Sequence, residues 1–201
     1  MKLTAPPTPG RRVEAVVLGA SAGGIEALFT LLNGLPASWK LPVVIVLHVP
    51  ENHESHLAQI FADRLHLPVH EAADKMPLAA GNVYFAPPGY HLSIERDRRF
   101  SLSCEPPVHF SRPSIDVLMS SAADAYGPAL AGMLLTGANE DGAEGLQRIH
   151  QAGGITAVQD PNEAQISIMP QAAIALHFPD HVLPLRELRA LLLQLESTHA
   201  H

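Results

Sequence analysis

The sequence predicts an α/β protein: a three-layer αβα sandwich with a mostly parallel, doubly wound sheet and an antiparallel edge hairpin. Three observations lead to this fold class. Apolar residues predominate at 13–18 and 129–135 and are continuous at 41–47, which is typical of buried strands. A segment with helical apolar spacing follows each of these runs. Two short runs within 91–104 flank the charged stretch Arg96-Asp97-Arg98-Arg99, which is typical of a hairpin tip.

The remaining elements follow from local signals along the chain. Strands are expected at 13–18, 41–47, 67–72, 81–89, 91–95, 100–104, 129–135 and 155–158. Helices are expected at 22–33, 53–65, 113–126, after Gly142, from Met169 and at 185–195. Pro113 suits a first helical turn, with Ser111 as its predicted cap. Gly153-Gly154 ends the helix that follows Gly142.

The length favours one domain with a sizeable core. We expect this domain to span residues 13–196 of the 201, with a flexible lead-in at 1–12 and a tail at 197–201. Pro6, Pro7, Pro9 and Gly10 are the basis for the lead-in. Cys104 is the only cysteine, so an internal disulfide is impossible, and we expect it to be a small buried apolar residue.

Charge and hydropathy limit the partners and the cellular location that we expect for this protein. Thirteen basic and 20 acidic residues give a net charge of −7, which argues against nucleic acids and anionic membranes as partners. No apolar run approaches the roughly 18 residues of a membrane span, and the N-terminus has no apolar signal segment. We therefore expect a soluble, cytoplasmic protein without membrane insertion.

The segment 16–28 predicts a strand, a glycine-rich turn and a helix. Residues 19–23 fit the G-x-S-x-G pattern, in which a serine sits on a sharp turn with its hydroxyl exposed. Ser21 could instead be a plain N-cap, or the turn could hold a phosphate. Nucleotide binding fits poorly, because G-x-G-x-x-G is absent, Ile25 occupies the P-loop lysine position and the next strand ends in His48 rather than an acid.

Three polar residues lie just past the ends of predicted parallel strands: Ser21, His48 and Asp141. The carboxyl ends of parallel strands share one edge, where ligands bind in such folds. These residues would then form a catalytic triad for acyl transfer, with Ser21 as nucleophile, His48 as general base and acid, and Asp141 orienting the imidazole. Taken singly, His48 could be a core histidine and Asp141 a helix N-cap.

A metal site is not expected. His53-Glu54-Ser55-His56 resembles H-E-x-x-H but is one residue short, and no third ligand lies nearby. The predicted chemistry needs no cofactor.

The motifs together are recognisable across residues 13–180. They are Gly19 to Gly24, Val46 to Pro50, Val83 to Pro88, Arg112 to Leu118, Leu135 to Ala143, and Met169-Pro170. In this order they resemble the catalytic domain of the chemotaxis protein-glutamate methylesterases (CheB), and in particular its stand-alone members. The resemblance implies a carboxylic ester hydrolase that demethylates glutamate γ-methyl esters on the cytoplasmic helices of chemoreceptors, releasing methanol, and that also deamidates receptor glutamines.

The resemblance implies site residues too. The family's triad maps onto Ser21, His48 and Asp141. Its oxyanion hole uses a backbone amide at the position of Ala138, and the amide of Ala22 follows the nucleophile. Arg112 lies in a motif of the cleft rim and is a candidate for contact with the receptor.

Three departures from the family pattern bear on activity. Ala22 replaces a frequent threonine, and Ala138-Asn139 replaces the usual Met-Gly, where asparagine tolerates a left-handed conformation. The short lead-in leaves no room for a fused receiver domain. The alternative function is therefore a catalytically weak member of the family that binds a receptor or another partner, and a phosphate- or nucleotide-binding domain ranks third.

Overall fold

A seven-stranded, all-parallel sheet is the centre of the fold in the computed structural model, which describes residues 12–48 and 55–199. The strand order is β3-β4-β2-β1-β7-β8-β9. The strands are β1 Ala15–Ala20, β2 Val43–Leu47, β3 Val69–Glu71, β4 Val83–Phe85, β5 His91–Ile94, β6 Phe100–Ser103, β7 Leu130–Leu134, β8 Ile155–Gln159 and β9 His181–Leu183. The helices are α1 Gly24–Leu32, α2 Leu57–Ala62, α3 Ile115–Tyr126, α4 Ala143–Gln151, α5 Ile168–Leu176 and α6 Leu185–His199.

Helices cover both faces of the sheet and give two apolar cores. Helices α1, α2 and α6 pack on one face, and α3, α4 and α5 pack on the other. Side chains of β1 alternate between the two cores, with Val16 and Leu18 in one and Ala15 and Val17 in the other. Both faces of β1 are thus buried, as its continuous apolar sequence predicts. The three-layer α/β class is confirmed.

Strand β1 is the switch point of the topology. It pairs in parallel with β2 on one side and with β7 on the other, so the connections leave it in opposite directions. In doubly wound sheets, the crevice for ligands opens at this point, beyond the carboxyl ends of the strands. We therefore expect a ligand site at the loops that follow β1, β2 and β7.

The hairpin differs from its predicted placement. Strands β5 and β6 pair with each other in antiparallel fashion, as expected, but they form a separate two-stranded sheet rather than an edge of the large one. Leu92, Ile94 and Phe100 are buried in the core that contains α3. Packing on this helix, rather than pairing with an edge strand, therefore positions the hairpin.

Other differences are local. The edge strand β9 was not predicted, because its three residues are half-buried or exposed and form no apolar run. Helix α6 continues to His199, beyond the predicted end at residue 195. Cys104 is exposed, not buried, because it lies in the loop that leaves β6. The lead-in, except Arg12, lies outside the described residues, and none of the described helices is long and apolar enough to cross a membrane.

Candidate active site

The register of the sheet brings two predicted site residues to one point of its carboxyl edge. Ala20 of β1 lies opposite Leu47 of β2, and the amide of His48 donates to the carbonyl of Ala20 at 3.1 Å. Ser21 and His48 are the next residues of the two chains, and paired strands lie about 4.8 Å apart. The two side chains therefore start from neighbouring backbone positions.

Asp141 reaches the same place from the loop between β7 and α4. Its Oδ2 lies 2.7 Å from Nε2 of His48, and the aspartate side chain is fully buried. Two of the three predicted catalytic side chains are thus in direct contact. This contact joins residues 93 positions apart in the sequence.

The carboxylate of Asp141 is held by the N-terminus of a helix other than the one it precedes. The amides of Ile115 and Asp116, the first two residues of α3, donate to Oδ2 at 2.7 Å and Oδ1 at 3.0 Å. The hydroxyl of Ser114 donates to Oδ1 at 2.8 Å. A helix N-terminus stabilises negative charge through such amides.

These donors determine the charge state of Asp141. Burial raises the pKa of this carboxyl, but the hydrogen bonds from His48, the α3 amides and Ser114 lower it more, and the pKa lies below its ordinary value. Asp141 is therefore ionised at neutral pH and accepts a hydrogen bond from His48.

Two capping predictions change accordingly. The N-cap of α3 is Ser114, whose Oγ accepts from the amide of Val117, so the prediction of Ser111 as this cap is wrong. The N-cap of α4 is Gly142, with φ of 97°, and the reading of Asp141 as a cap of its own helix does not hold.

The contact between Asp141 Oδ2 and His48 Nε2 indicates the tautomer of His48. Because an ionised carboxylate only accepts, Nε2 carries the proton and Nδ1 keeps its lone pair. The side chain is 11% exposed, and Nδ1 lies 3.4 Å from the hydroxyl of Ser111. Ser21 Oγ makes no hydrogen bond to the ring within the described part of the chain. The register of β1 and β2 thus places Ser21 next to His48 along the backbone, and Ser111 is a neighbour of the ring that was not predicted from the sequence.

The turn that carries Ser21 is held by backbone contacts. Gly23, with φ of 79°, precedes α1, and the carbonyl of Ser21 accepts from the amide of Gly24 at 2.7 Å. A Cβ on Gly24 would lie 2.5 Å from Leu47 and 2.8 Å from Ala20, so the glycine lets α1 approach the ends of β1 and β2 closely. Ser21 itself is half-buried.

Thr136, which follows β7, stabilises the turn that carries Ser21 through hydrogen bonds. Its carbonyl accepts from the amide of Ser21 at 2.9 Å, and its buried hydroxyl donates to the carbonyl of Ala22 at 2.9 Å. The same hydroxyl accepts from the amide of Ile166 at 2.9 Å. Thr136 lies in the motif Leu135 to Ala143, but its role in holding the turn was not predicted.

The two predicted oxyanion amides lie on loops at this edge. Because the Ser21 amide is used by Thr136, the next amide along the turn is that of Ala22, which is exposed. Ala138 is exposed in the loop before Asp141. Asn139 does not adopt a positive φ, and its side chain braces the loop by donating to the carbonyl of His109 at 3.3 Å. The role of Ala22 and Ala138 stays a prediction.

Arg112 braces a neighbouring loop. Its Nη1 donates to the carbonyls of Cys104 and Glu105, both at 3.1 Å. These contacts account for the position of the side chain, and its contact with a substrate stays a prediction.

A metal centre is not evident among residues 12–48 and 55–199, which contain no group of three His, Cys, Asp or Glu side chains placed to hold an ion. His53 and Glu54 of the shortened H-E-x-x-H pattern lie outside these ranges.

The doubly wound parallel sheet, with polar residues at its carboxyl edge, has the arrangement expected of an α/β enzyme. The CheB methylesterase family model matches residues 16–192, and the chain belongs to this family.

Relatives and a solved structure agree with this assignment. A candidate protein-glutamate methylesterase/protein-glutamine glutaminase of Leptospira interrogans is 44% identical over 92% of this chain and 96% of its own length. A protein-glutamate methylesterase/protein-glutamine glutaminase of Anaeromyxobacter dehalogenans is 43% identical, but the match spans 54% of its length. The crystal structure of the Thermotoga maritima CheB methylesterase catalytic domain superposes with a TM-score of 0.83 at 29% identity, covering 89% of this chain and 98% of that domain.

Proposed function

We propose that this protein is a protein-glutamate methylesterase that uses Ser21, His48 and Asp141 to hydrolyse glutamate γ-methyl esters on the cytoplasmic helices of chemoreceptors. The observation that carries the proposal is the 2.7 Å contact of a fully buried Asp141 with Nε2 of His48, beside the strand end that bears Ser21. This contact leaves Nδ1 of His48 as the basic nitrogen.

In the first half of the reaction, Ser21 Oγ attacks the ester carbonyl carbon and its proton passes to Nδ1 of His48. The tetrahedral oxyanion accepts hydrogen bonds from the amides of Ala22 and Ala138. Collapse breaks the bond to the methoxy oxygen, which takes the proton from His48 and leaves as methanol. Asp141 remains ionised and stabilises the imidazolium throughout.

In the second half, water attacks the glutamyl ester of Ser21. His48 takes a proton from this water and returns it to Ser21 Oγ as the intermediate collapses, which releases the glutamate side chain. A glutamine substrate follows the same route with ammonia as the leaving group, which accounts for deamidation.

Methanol release from a methylated receptor fragment tests the proposal. Wild-type protein should release methanol, whereas Ser21→Ala and His48→Gln should not exceed the rate without protein. Equal rates for wild type and both variants would contradict an esterase and leave a receptor-binding role.

A further inference from the structure

Asp116 is a buried acid that the proposed mechanism does not use. It lies in the first turn of α3, is 6% exposed, and its own amide donates to Asp141. Its Oδ1 accepts from the amide of Gly145 in α4 at 2.6 Å. Its Oδ2 is buried without a hydrogen bond from the described residues, and the nearest partner is Nε2 of His109 at 3.4 Å.

The surroundings of Asp116 are unfavourable for its charge. Burial first, and then the neighbouring carboxylate of Asp141, raise its pKa to about 7, although the Gly145 amide and His109 act in the opposite direction. Glu140 faces His109 from the other side, with Oε1 at 3.4 Å from Nδ1. The groups that set the state of Asp116 thus come from three segments: the Asp141 loop, α4 and the His109 turn.

His109 belongs to a tight two-residue turn. Val108 and Ser111 exchange backbone hydrogen bonds of 3.1 and 2.9 Å, and the residues between them, His109 and Phe110, both have positive φ, of 47° and 61°. This conformation is unfavourable for residues other than glycine and persists where the surroundings hold it. The contacts of His109 with Asp116, Glu140 and Asn139 stabilise this conformation of the turn.

The turn ends at the catalytic histidine. Ser111 Oγ lies 3.4 Å from Nδ1 of His48, the nitrogen that the mechanism needs as a base. Asn139 Nδ2 also lies 3.4 Å from the same hydroxyl. One chain of contacts therefore runs from Asp116 through His109 and Ser111 to His48, and a second runs through Asp141.

We propose that Asp116 is a positioning residue for the reaction: its carboxylate, paired with His109, anchors the Val108–Ser111 turn on His48 and adds negative charge behind Asp141. This inference rests on the proposed function. Asp116 touches no substrate and acts only through His109, Ser111 and Asp141.

The principal test is Asp116→Asn, which keeps the shape and the acceptor for Gly145 but removes the charge. We expect kcat for a glutamyl methyl ester peptide to fall about tenfold to a hundredfold, because misplacement of a catalytic group has effects of that size, with KM unchanged. Because the pKa of Asp116 is about 7, its charge is present in the upper part of the acidic limb of the pH–rate profile, and this part should move to lower pH when a negative charge that favours the imidazolium is lost.

Asp124→Asn is the matched control. Asp124 lies on the same helix, is 58% exposed and pairs with Arg148 on the outside of the fold. Its variant should keep both kcat and the pH–rate profile of the wild type. An acidic limb of Asp116→Asn that coincides with that of Asp124→Asn would overturn the proposal.

A measurement without turnover separates this inference from the proposed function. The ring nitrogen signals of His48, followed by NMR across pH, should change in Asp116→Asn and in His109→Gln, and remain as in wild type in Asp124→Asn. His109→Gln changes the more exposed partner of the Asp116–His109 contact. This variant therefore tests the contact even if Asp116→Asn does not fold. Unchanged His48 signals in both variants would overturn the proposal, whereas a wild type without esterase activity would overturn only the proposed function.

Discussion

The two halves of the site are held in different ways. On the acid side, Asp141 is fully buried and receives four hydrogen bonds, from His48, Ser114 and two α3 amides. On the side of the proposed nucleophile, Ser21 is half-buried, and the hydrogen bonds that it makes with the described residues hold its backbone, through Thr136 and Gly24. In the proposed mechanism, Asp141 and His48 are thus in contact before substrate binds. Ser21 Oγ, which has no hydrogen bond to His48 among the described residues, would turn toward the ring when the ester binds.

This comparison predicts that the nucleophile can be removed without structural consequence. Ser21→Ala should lower kcat by about 10⁴- to 10⁶-fold, as removal of a serine nucleophile does elsewhere. The midpoint of thermal unfolding should match the wild type. Ser101→Ala removes a half-buried hydroxyl of β6 that donates to Glu95, away from the site; it is the control for both assays and should keep full activity.

The acid half should respond in both activity and stability. Asp141→Asn should lower kcat by about 10⁴-fold because the ring loses its orienting acceptor. It should also lower the free energy of unfolding by about 2–4 kcal/mol, because an amide NH₂ would face donors that the carboxylate satisfied. Urea unfolding at neutral pH measures the second effect. If Asp141→Asn were as stable as Ser21→Ala, the proposed difference in stability between the two halves of the site would be contradicted.

Two adjacent carboxyls should give opposite pH dependences of stability. The folded pKa of Asp141 is lowered, so its contribution is present above the unfolded pKa near 3.8 and is lost as the pH falls through the folded value. The folded pKa of Asp116 is raised to about 7, so stability falls as the pH rises from about 4 to 7, by at most about 1.4 kcal/mol per pH unit.

Urea unfolding from pH 3 to 8 checks this pair of signs. Asp141→Asn should remove the loss of stability in acid, and Asp116→Asn should remove the decrease toward neutral pH. If Asp116→Asn were less stable than wild type at pH 8 and kept the same slope between pH 4 and 7, the assignment for Asp116 would be wrong.

The smallest expected effect compares two glycines of positive φ, one in each half. A Cβ on Gly142 would lie 2.6 Å from Leu134 and 2.7 Å from Ile115, both buried, whereas on Gly23 it would meet the exposed side chain of Gln165. Both Gly→Ala changes carry a similar backbone cost, but only Gly142→Ala also strains the core. We expect it to be the less stable variant by about 1–3 kcal/mol.

Gly89→Ala is the control for the backbone cost alone, because φ at Gly89 is 77° and, apart from its two chain neighbours, no atom of the described residues would lie within 4 Å of the added Cβ. Gly23→Ala should be close to this control in thermal unfolding. Equal destabilisation by Gly142→Ala and Gly89→Ala would show that the packing around Asp141 accommodates an added methyl group as easily as the turn of Ser21 does.

The edge of the sheet where the site lies could be predicted because parallel strands give a simple rule. Residues that follow buried apolar runs meet at one edge, and this reasoning placed Ser21, His48 and Asp141 there. The sequence did not reveal that α3 supplies the amides for Asp141, because this contact joins segments 25 to 27 residues apart. The cap was misplaced for a different reason: the helix was predicted to start at Pro113, whereas it starts at Ile115, so that Ser114 rather than Ser111 precedes its first residue.

The resemblance to the methylesterases and the family match agree on the fold and the family, and the central claim built on them is the identity of Ser21 as the nucleophile. Ser111 Oγ lies 3.4 Å from Nδ1 of His48, whereas Ser21 Oγ makes no hydrogen bond to this ring among the described residues. Labelling with a fluorophosphonate, followed by peptide mapping by mass spectrometry, distinguishes the two serines. Our account predicts one adduct, on Ser21, that disappears in His48→Gln. An adduct on Ser111, or labelling of Ser21 that is unchanged in His48→Gln, would contradict it.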